Sequence, residues 1–256
     1  MKKPFALVVP AAALISVLSC AAAPSRLPQP VPEREAAPAV CLQRGALLLN
    51  TGAYAAAIRE FTEILLLKPD FADVYNLRGV AHFRRAEHGP AIDDFTRAVL
   101  LNPGFARAYS NRGNAYLNKG YIDRAIHDFT RAIDLNLNSA RTYNLRGIAR
   151  HRRGDHDRAI ADFDQAIRLD PGLASAYFNR GFVRFNGWEF YLAIADLAEA
   201  IRLEPNFANA YNLRGLVHFR KGEYDLAIAD FEAVLRIDPN RSGVRENLER
   251  ARQRRG

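Results

Sequence analysis

Cysteine is nearly absent from this chain of 256 residues: only Cys20 and Cys41 occur, and no zinc motif is built on them. Histidine is scarce as well. Only His151 and His156 fall close enough to be neighbours across a turn, and no third ligand of metal-binding spacing follows. No Gly-rich phosphate loop and no nucleophile elbow appears. Long apolar runs are missing too. The run Phe5 to Ser19 has 15 residues and is interrupted by Pro10, which is short for a membrane-spanning helix. An acidic excess is lacking: the formal charge is +8, with Lys2 and Lys3 supplying two of the positives, and the pI is about 9.7. That balance permits an acidic partner or an anionic surface without demanding nucleic acid. These absences leave no metal, no cofactor and no catalytic constellation to expect, and the chain reads as a non-enzyme.

What the chain has is a period. The phrase Tyr143-Asn144-Leu145-Arg146-Gly147 recurs as Tyr75 to Gly79 and Tyr211 to Gly215, with variants at Tyr109 to Gly113 and Tyr177 to Gly181. A sixth copy ends in Arg44-Gly45, with Cys41 at the tyrosine position. The glycines 45, 79, 113, 147, 181 and 215 recur at one constant interval. Ala57, Ala91, Ala125, Ala159, Ala193 and Ala227 keep the same step, as do Phe61, Phe95, Phe129, Phe163, Leu197 and Phe231. Pro69, Pro103, Pro171, Pro205 and Pro239 close five copies, and Leu137 stands in the other. Self-similarity at such a period signals a solenoid, in which each unit contacts its neighbours.

Each unit reads as two helices. In the fourth, the first spans 140–153, Gly154-Asp155 turn the chain, and the second spans 156–169. Gly52, Gly120, Gly154 and Gly222 suit turns needing positive φ. Pro90 falls in the first turn of its helix, where a missing N–H is harmless. Ala159 and its equivalents mark a close approach of helices. After Arg241, the positions Val244, Leu248 and Ala251 define one apolar stripe, with Ser242 expected to cap the helix start. This final segment is read as the polar-faced helix that closes an open solenoid end.

A 34-residue unit with an aromatic, a glycine four positions later, a mid-unit alanine, then Phe and Pro resembles the tetratricopeptide repeat (TPR). The match covers 38–241, about four-fifths of the chain. It implies an all-α, right-handed superhelix of six helix-turn-helix repeats: 38–71, 72–105, 106–139, 140–173, 174–207 and 208–241, with 242–256 as capping helix and basic tail. One departure is systematic: the residue before each glycine is Arg (44, 78, 112, 146, 180, 214), and an acid follows 16 residues later at Glu60, Asp94, Asp128, Asp162, Asp196 and Asp230. Pairing of each arginine with an acid, within its repeat or with the adjacent one, is the expectation.

The N-terminus carries a different signal. Lys2-Lys3, the apolar run and Val17-Leu18-Ser19-Cys20 resemble a bacterial signal peptide ending in a lipobox, residues 1–20. This implies lipid attachment at Cys20, after which no intrachain disulfide is possible. Cleavage near Ala21-Ala22-Ala23 is the alternative, set back by Pro24 just after the cut. Residues 21–37 are read as a Pro/Ala-rich tether, and the proline-bearing stretch Pro24 to Pro38 makes a semi-rigid spacer reaching on the order of 45 Å. Ala21, which is not Asp, favours the outer membrane by the enterobacterial sorting pattern. The expected location is the bacterial cell envelope, facing the periplasm, or else the periplasm or exterior in soluble form.

In TPR proteins the first helices line the concave surface. The resemblance places Asn76, Asn114, Asn144, Asn212, Phe83, Phe182, Phe185 and Phe219 in that groove, with Arg84, Asn118, Arg152, Asn186, Arg220, Arg107 and Arg141 running along it. Arg84, Arg152 and Arg220 alternate with Asn118 and Asn186, a period of two repeats. The dicarboxylate clamp of chaperone-binding TPR proteins is not reproduced, because Leu42 and Ala46 replace its Lys and Asn. The expected partner is a protein with acidic or amphipathic segments, the membrane being reached through the lipid. The expected role is a scaffold or adaptor; the alternatives are an assembly factor for a secretion or pilus machine, or an enzyme with an unrecognised groove site. Trp188 has two readings: an exposed anchor for a partner, or a residue closing a shifted turn over Phe190.

Overall fold

The computed structural model describes residues 33–256. The expected signal peptide, with Cys20, and the expected tether up to residue 32 lie outside the described residues. All thirteen described elements are α-helices. The chain divides into two compact units at Pro103/Gly104.

The N-terminal unit holds α1 (Glu33–Asn50), α2 (Tyr54–Leu67), α3 (Ala72–Arg84) and α4 (His88–Leu101). Helix α1 starts at Glu33, so residues 33–37, assigned to the tether from sequence, are helical. The C-terminal unit holds α5 (Ala106–Asn118), α6 (Ile122–Asp134), α7 (Ala140–Arg153), α8 (His156–Leu169), α9 (Ala174–Asn186), α10 (Phe190–Leu203), α11 (Ala208–Lys221), α12 (Tyr224–Ile237) and α13 (Val244–Arg255). The bounds of α7 and α8 match those read from the periodicity.

Short connections make each repeat an antiparallel helix pair. Repeats are built around a glycine–phenylalanine contact. A Cβ on Gly147 would meet Phe163 Cε1 at 2.6 Å, and one on Gly45 would meet Phe61 Cε1 at 2.6 Å. The first helix can therefore lie on the ring of the second only through glycine. Ala159 and Ala166 are fully buried, as are Ala125 and Ala132 one repeat earlier. Phe61, Phe95, Phe129, Phe163 and Phe231 are each at most 1% exposed.

The turns within repeats share one geometry. In the fourth, Gly154 N–H donates to His151 O (2.9 Å), Asp155 N–H to Arg150 O (2.9 Å), and Gly154 sits at φ +89°. This is a Schellman ending, which needs a left-handed residue. The same device ends α6, where proline is missing: Asn136, at φ 62°, donates to Ile133 O (2.9 Å) and Leu137 to Ala132 O (3.0 Å). Asparagine tolerates that conformation better than most residues.

At the C-terminus, Val244, Leu248 and Ala251 are buried against Phe231 and Val234 of α12, as expected of a capping helix. The cap of α13 itself is a correction. Gly243, at φ 75°, occupies the N-cap position and no side chain caps the helix, so Ser242 does not. A left-handed residue is required there, and glycine supplies it at no steric cost.

Candidate functional site

The arginine before each glycine pairs with the acid of its own repeat in all six copies. Arg146 Nε and Nη2 donate to Asp162 at 3.0 and 2.8 Å; Arg78, Arg112 and Arg214 make the same two-pronged contact with Asp94, Asp128 and Asp230. Both ends are largely removed from water: side-chain exposure is 11% for Arg146 and 4% for Asp162. The bonds to aspartate raise the Arg78 and Arg214 pKa values above the usual arginine range, against the opposing effect of burial. The tyrosine three residues earlier completes the arrangement. Positions three apart share a helix face, and Arg146 lies 5.4 Å from the Tyr143 ring centroid.

Two further partners were not legible in the period. The third prong reaches the preceding repeat: Arg146 Nη1 to Thr130 Oγ1 (3.2 Å), Arg78 Nη1 to Thr62 Oγ1 (3.1 Å), Arg180 Nη1 to Asp164 Oδ1 (2.5 Å). A second arginine also joins two of the aspartates, Arg150 on Asp162 (2.8 Å) and Arg184 on Asp196 (2.7 Å). At that repeat position His82 and His218 bond Glu87 and Glu223, both at 2.6 Å, and His82 Nε2 also stands 3.9 Å from Asp94. The signal for the third prong was present as Phe-Thr in three consecutive repeats, Phe61-Thr62, Phe95-Thr96 and Phe129-Thr130.

In the C-terminal unit, α5, α7, α9 and α11 touch one another in succession, whereas the second helices form no comparable series. Closer spacing on one side is what curves a stack, so the first helices line the inner face of this unit. The groove residues fall into two groups there. Some are committed to the scaffold: Asn144 is buried and accepts from Asn179 Nδ2 (3.0 Å), Arg152 Nη1 donates to Leu117 O (3.3 Å), and Asn118 Nδ2 folds back on Asn114 O (2.8 Å) and Oδ1 (3.2 Å). Arg107 and Arg141 are exposed on the first turns of α5 and α7.

Others remain available. Phe182 is 38% exposed, edge-on to His151 at 5.4 Å. Asn212 Oδ1 is buried without a hydrogen-bond partner. Asn186 and Arg220 are exposed. Phe185 and Phe219 pack on Phe190 and Tyr224, the first residues of the following helices. In the N-terminal unit Asn76 is buried, Phe83 packs on His88 (5.1 Å) and Arg84 is exposed.

His151 Nδ1 lies 3.0 Å from His156 Nδ1, the same first-helix-to-second-helix contact made by phenylalanines elsewhere. Burial, then the charges of His156 and Arg152, push the His151 imidazole below its ordinary pKa. Among the described residues no group of His, Cys, Asp and Glu is arranged to hold a metal ion, and no helix is long and apolar enough to cross a membrane.

Trp188 is in register with the turn glycines. Its N–H donates to Phe185 O (3.1 Å), Glu189 N–H donates to Arg184 O (2.9 Å), and its φ is 63°. The turn is not shifted, which removes one of the two readings made from sequence. The ring does lie against Phe190, with centroids 5.6 Å apart, yet Trp188 stays 69% exposed.

Solved structures with this architecture are numerous. The chain aligns with the APC/C hetero-tetramer Cut9–Hcn1 at 24% identity and a TM-score of 0.73, covering 84% of this chain and 42% of that one. With Pseudomonas aeruginosa pilF the identity is 17% and the TM-score 0.73, covering 86% and 98%. With YrrB, described as a TPR protein with an unusual peptide-binding site, identity is 19% and the TM-score 0.61, covering 75% and 97%. No curated protein sequence matches significantly. The tetratricopeptide repeat profile matches residues 42–111 and 110–174, and related TPR profiles match 189–222 and 208–241. With half the chain matched by one profile and helix pairs recurring in constant phase throughout, this chain belongs to the tetratricopeptide repeat family.

Proposed function

We propose that the chain is a non-catalytic protein–protein interaction scaffold of the bacterial cell envelope. The inner face of its C-terminal unit takes an acidic or amphipathic segment of a partner. The observation that carries this reading is the division of the groove residues. The period-locked arginines are consumed by aspartates, while Arg220 and Arg107 stand exposed on the inner-face helices, and no described ion pair holds either. An exposed guanidinium beside amide and aromatic groups suits a carboxylate-bearing chain. Tetratricopeptide arrays generally act as interaction modules without chemistry of their own, and the scarcity of histidine and cysteine agrees with that.

The envelope location and lipid anchor rest on the sequence Val17-Leu18-Ser19-Cys20. Metabolic labelling with a fatty acid tests them directly: label is incorporated in wild type and lost in Cys20→Ala. Label retained in that variant, or absent from both, removes the anchor from the proposal.

The binding reading is tested by cross-linking in cells followed by affinity capture. Wild type is compared with the variant Arg107→Glu, Arg220→Glu, first checked for unchanged helicity. A specific envelope protein retained by wild type and lost by the variant supports the groove. Unchanged capture overturns it.

A further inference from the structure

Six turns join the helices within repeats, and the left-handed position is held by Gly52, Ala86, Gly120, Gly154, Trp188 and Gly222, with φ between 62° and 89°. Glycine takes this conformation freely, whereas a bulky residue there is strained. Nothing in the turn itself requires tryptophan, because the same two backbone hydrogen bonds form around Gly154. Burial does not offset the strain, since Trp188 is 69% exposed. A strained ring that touches Phe190 on one side and still stays largely exposed has an open face for a ligand.

The ring forms one wall of a cleft of about 150 Å³ that Phe185, Asn186, Phe190 and Arg220 complete. The cleft is open to solvent, and its lining joins three aromatic faces to an amide and a guanidinium. At its rim the Arg220 guanidinium stands 6.0 Å from the Trp188 ring centroid and forms no ion pair among the described residues. The neighbouring Lys221, by contrast, is already bonded to Glu223 at 2.5 Å. The cleft therefore offers an aromatic slot, one amide and one unanswered positive charge.

We infer that this cleft is the anchor point of the partner segment, and that the segment carries an aromatic side chain with a carboxylate next to it. The inference rests on the proposed use of the inner face and adds which residue of the partner is gripped, and where. The aromatic ring enters between Trp188 and Phe190; the carboxylate meets Arg220. A flat anionic lipid surface is disfavoured, because the site is concave and its lining residues present a single cation.

Trp188 is the sole tryptophan of the chain, so its emission reports on this cleft alone. The probe is a fluorescein-labelled, C-terminally amidated peptide Gly-Asp-Asp-Phe-Asp-Asp-Gly, followed by anisotropy; its unlabelled form is followed by Trp188 emission. The two signals are expected to titrate together. Affinity is expected to fall about tenfold or more when alanine replaces the peptide's phenylalanine, when asparagines replace its aspartates, or in Arg220→Gln. Trp188→Gly is expected to lose binding while its thermal midpoint holds or rises, which a merely structural tryptophan would not allow. Rising anisotropy with unchanged Trp188 emission, and equal binding by Trp188→Gly, overturns the anchor and leaves the groove standing. No binding by any peptide at millimolar concentration also overturns it, while the capture experiment decides the groove separately. A Trp188 emission shift with phosphatidylglycerol vesicles and none with peptide overturns it in favour of lipid.

Discussion

The first and fourth repeats use the same arginine–acid device and obtain different results from it. In the fourth, Arg146 makes two bonds to Asp162 and one to Thr130, stacks on Tyr143, and is 11% exposed. In the first, Arg44 makes a single 3.2 Å contact with Glu60 and is 58% exposed. One sequence difference accounts for much of this. Cys41 stands where the other repeats have tyrosine, so no ring covers the guanidinium. Burial instead raises the Cys41 thiol pKa, with Glu60 adding to the shift. The acid differs as well: glutamate reaches with one oxygen where aspartate presents two. Identical spacing thus fixes who meets whom, and the residues around the pair fix what the meeting is worth.

Removing the acid should break the comparison open. Asp162→Ala strands both Arg146 and Arg150 in a partly buried setting and should cost roughly 3–5 kcal/mol, whereas Glu60→Ala should cost below about 1 kcal/mol. Urea unfolding of the two variants measures both, and equal losses would show that burial does not separate the pairs. Gly45→Ala and Gly147→Ala supply the control. The added Cβ meets a phenylalanine ring at 2.6 Å in both repeats, so both should lose a similar amount, roughly 1–3 kcal/mol. A large difference there would mean that the first repeat is loose as a whole, beyond its ion pair.

Thr130→Val removes only the prong that Arg146 sends to the preceding repeat. The expected loss is about 0.5–1.5 kcal/mol, read as faster amide hydrogen exchange in both α6 and α7. The last test repairs the weaker member. Cys41→Tyr gives Arg44 its missing ring and should stabilise by about 0.5–1 kcal/mol. Thermal melts of Cys41→Tyr and of Cys41→Tyr with Arg44→Ala check it: the gain should vanish when the arginine is absent.

Much of this was legible before the structure. A constant repeat length fixes the phase of every helix, which is why the bounds of α7 and α8 follow from Gly147, Gly154 and Pro171 alone. It also called for an acid opposite each arginine, without deciding between the acid of its own repeat and that of the adjacent one. Acids of the same phase stand 16 residues after an arginine and 18 before it, as Asp162 and Asp128 do about Arg146. The structure uses the later acid for charge and sends the third prong of Arg146 to Thr130, two residues beyond the earlier one. Three features were hidden for another reason. The Arg150 and Arg184 contacts depend on side-chain direction at one repeat position, where histidine and tyrosine also occur. The start of α13 depends on a backbone conformation that Gly243 adopts and Ser242 does not cap. Trp188 gave the reverse impression: its neighbour Gly187 suggested a displaced turn, yet Gly187 has φ −82° and the left-handed residue is the tryptophan. As for the groove, sequence phase placed its residues on the first helices of the repeats. It could not separate Asn144 and Arg152, bound within the scaffold, from Arg220, which is not.

The third prong of Arg78, Arg146 and Arg180 points one way along the chain, from a repeat to the one before it. This gives the stack a polarity that a mere pile of equal helix pairs would lack. Within the C-terminal unit, losing the sixth repeat leaves the bonds of Arg146 and Arg180 intact. Losing the third deprives Arg146 of Thr130 and leaves a donor of the fourth repeat without its acceptor. For these bonds, truncation of the C-terminal unit from its two sides is therefore not equivalent: its trailing repeat can go without freeing a donor of Arg146 or Arg180, whereas its leading repeat cannot.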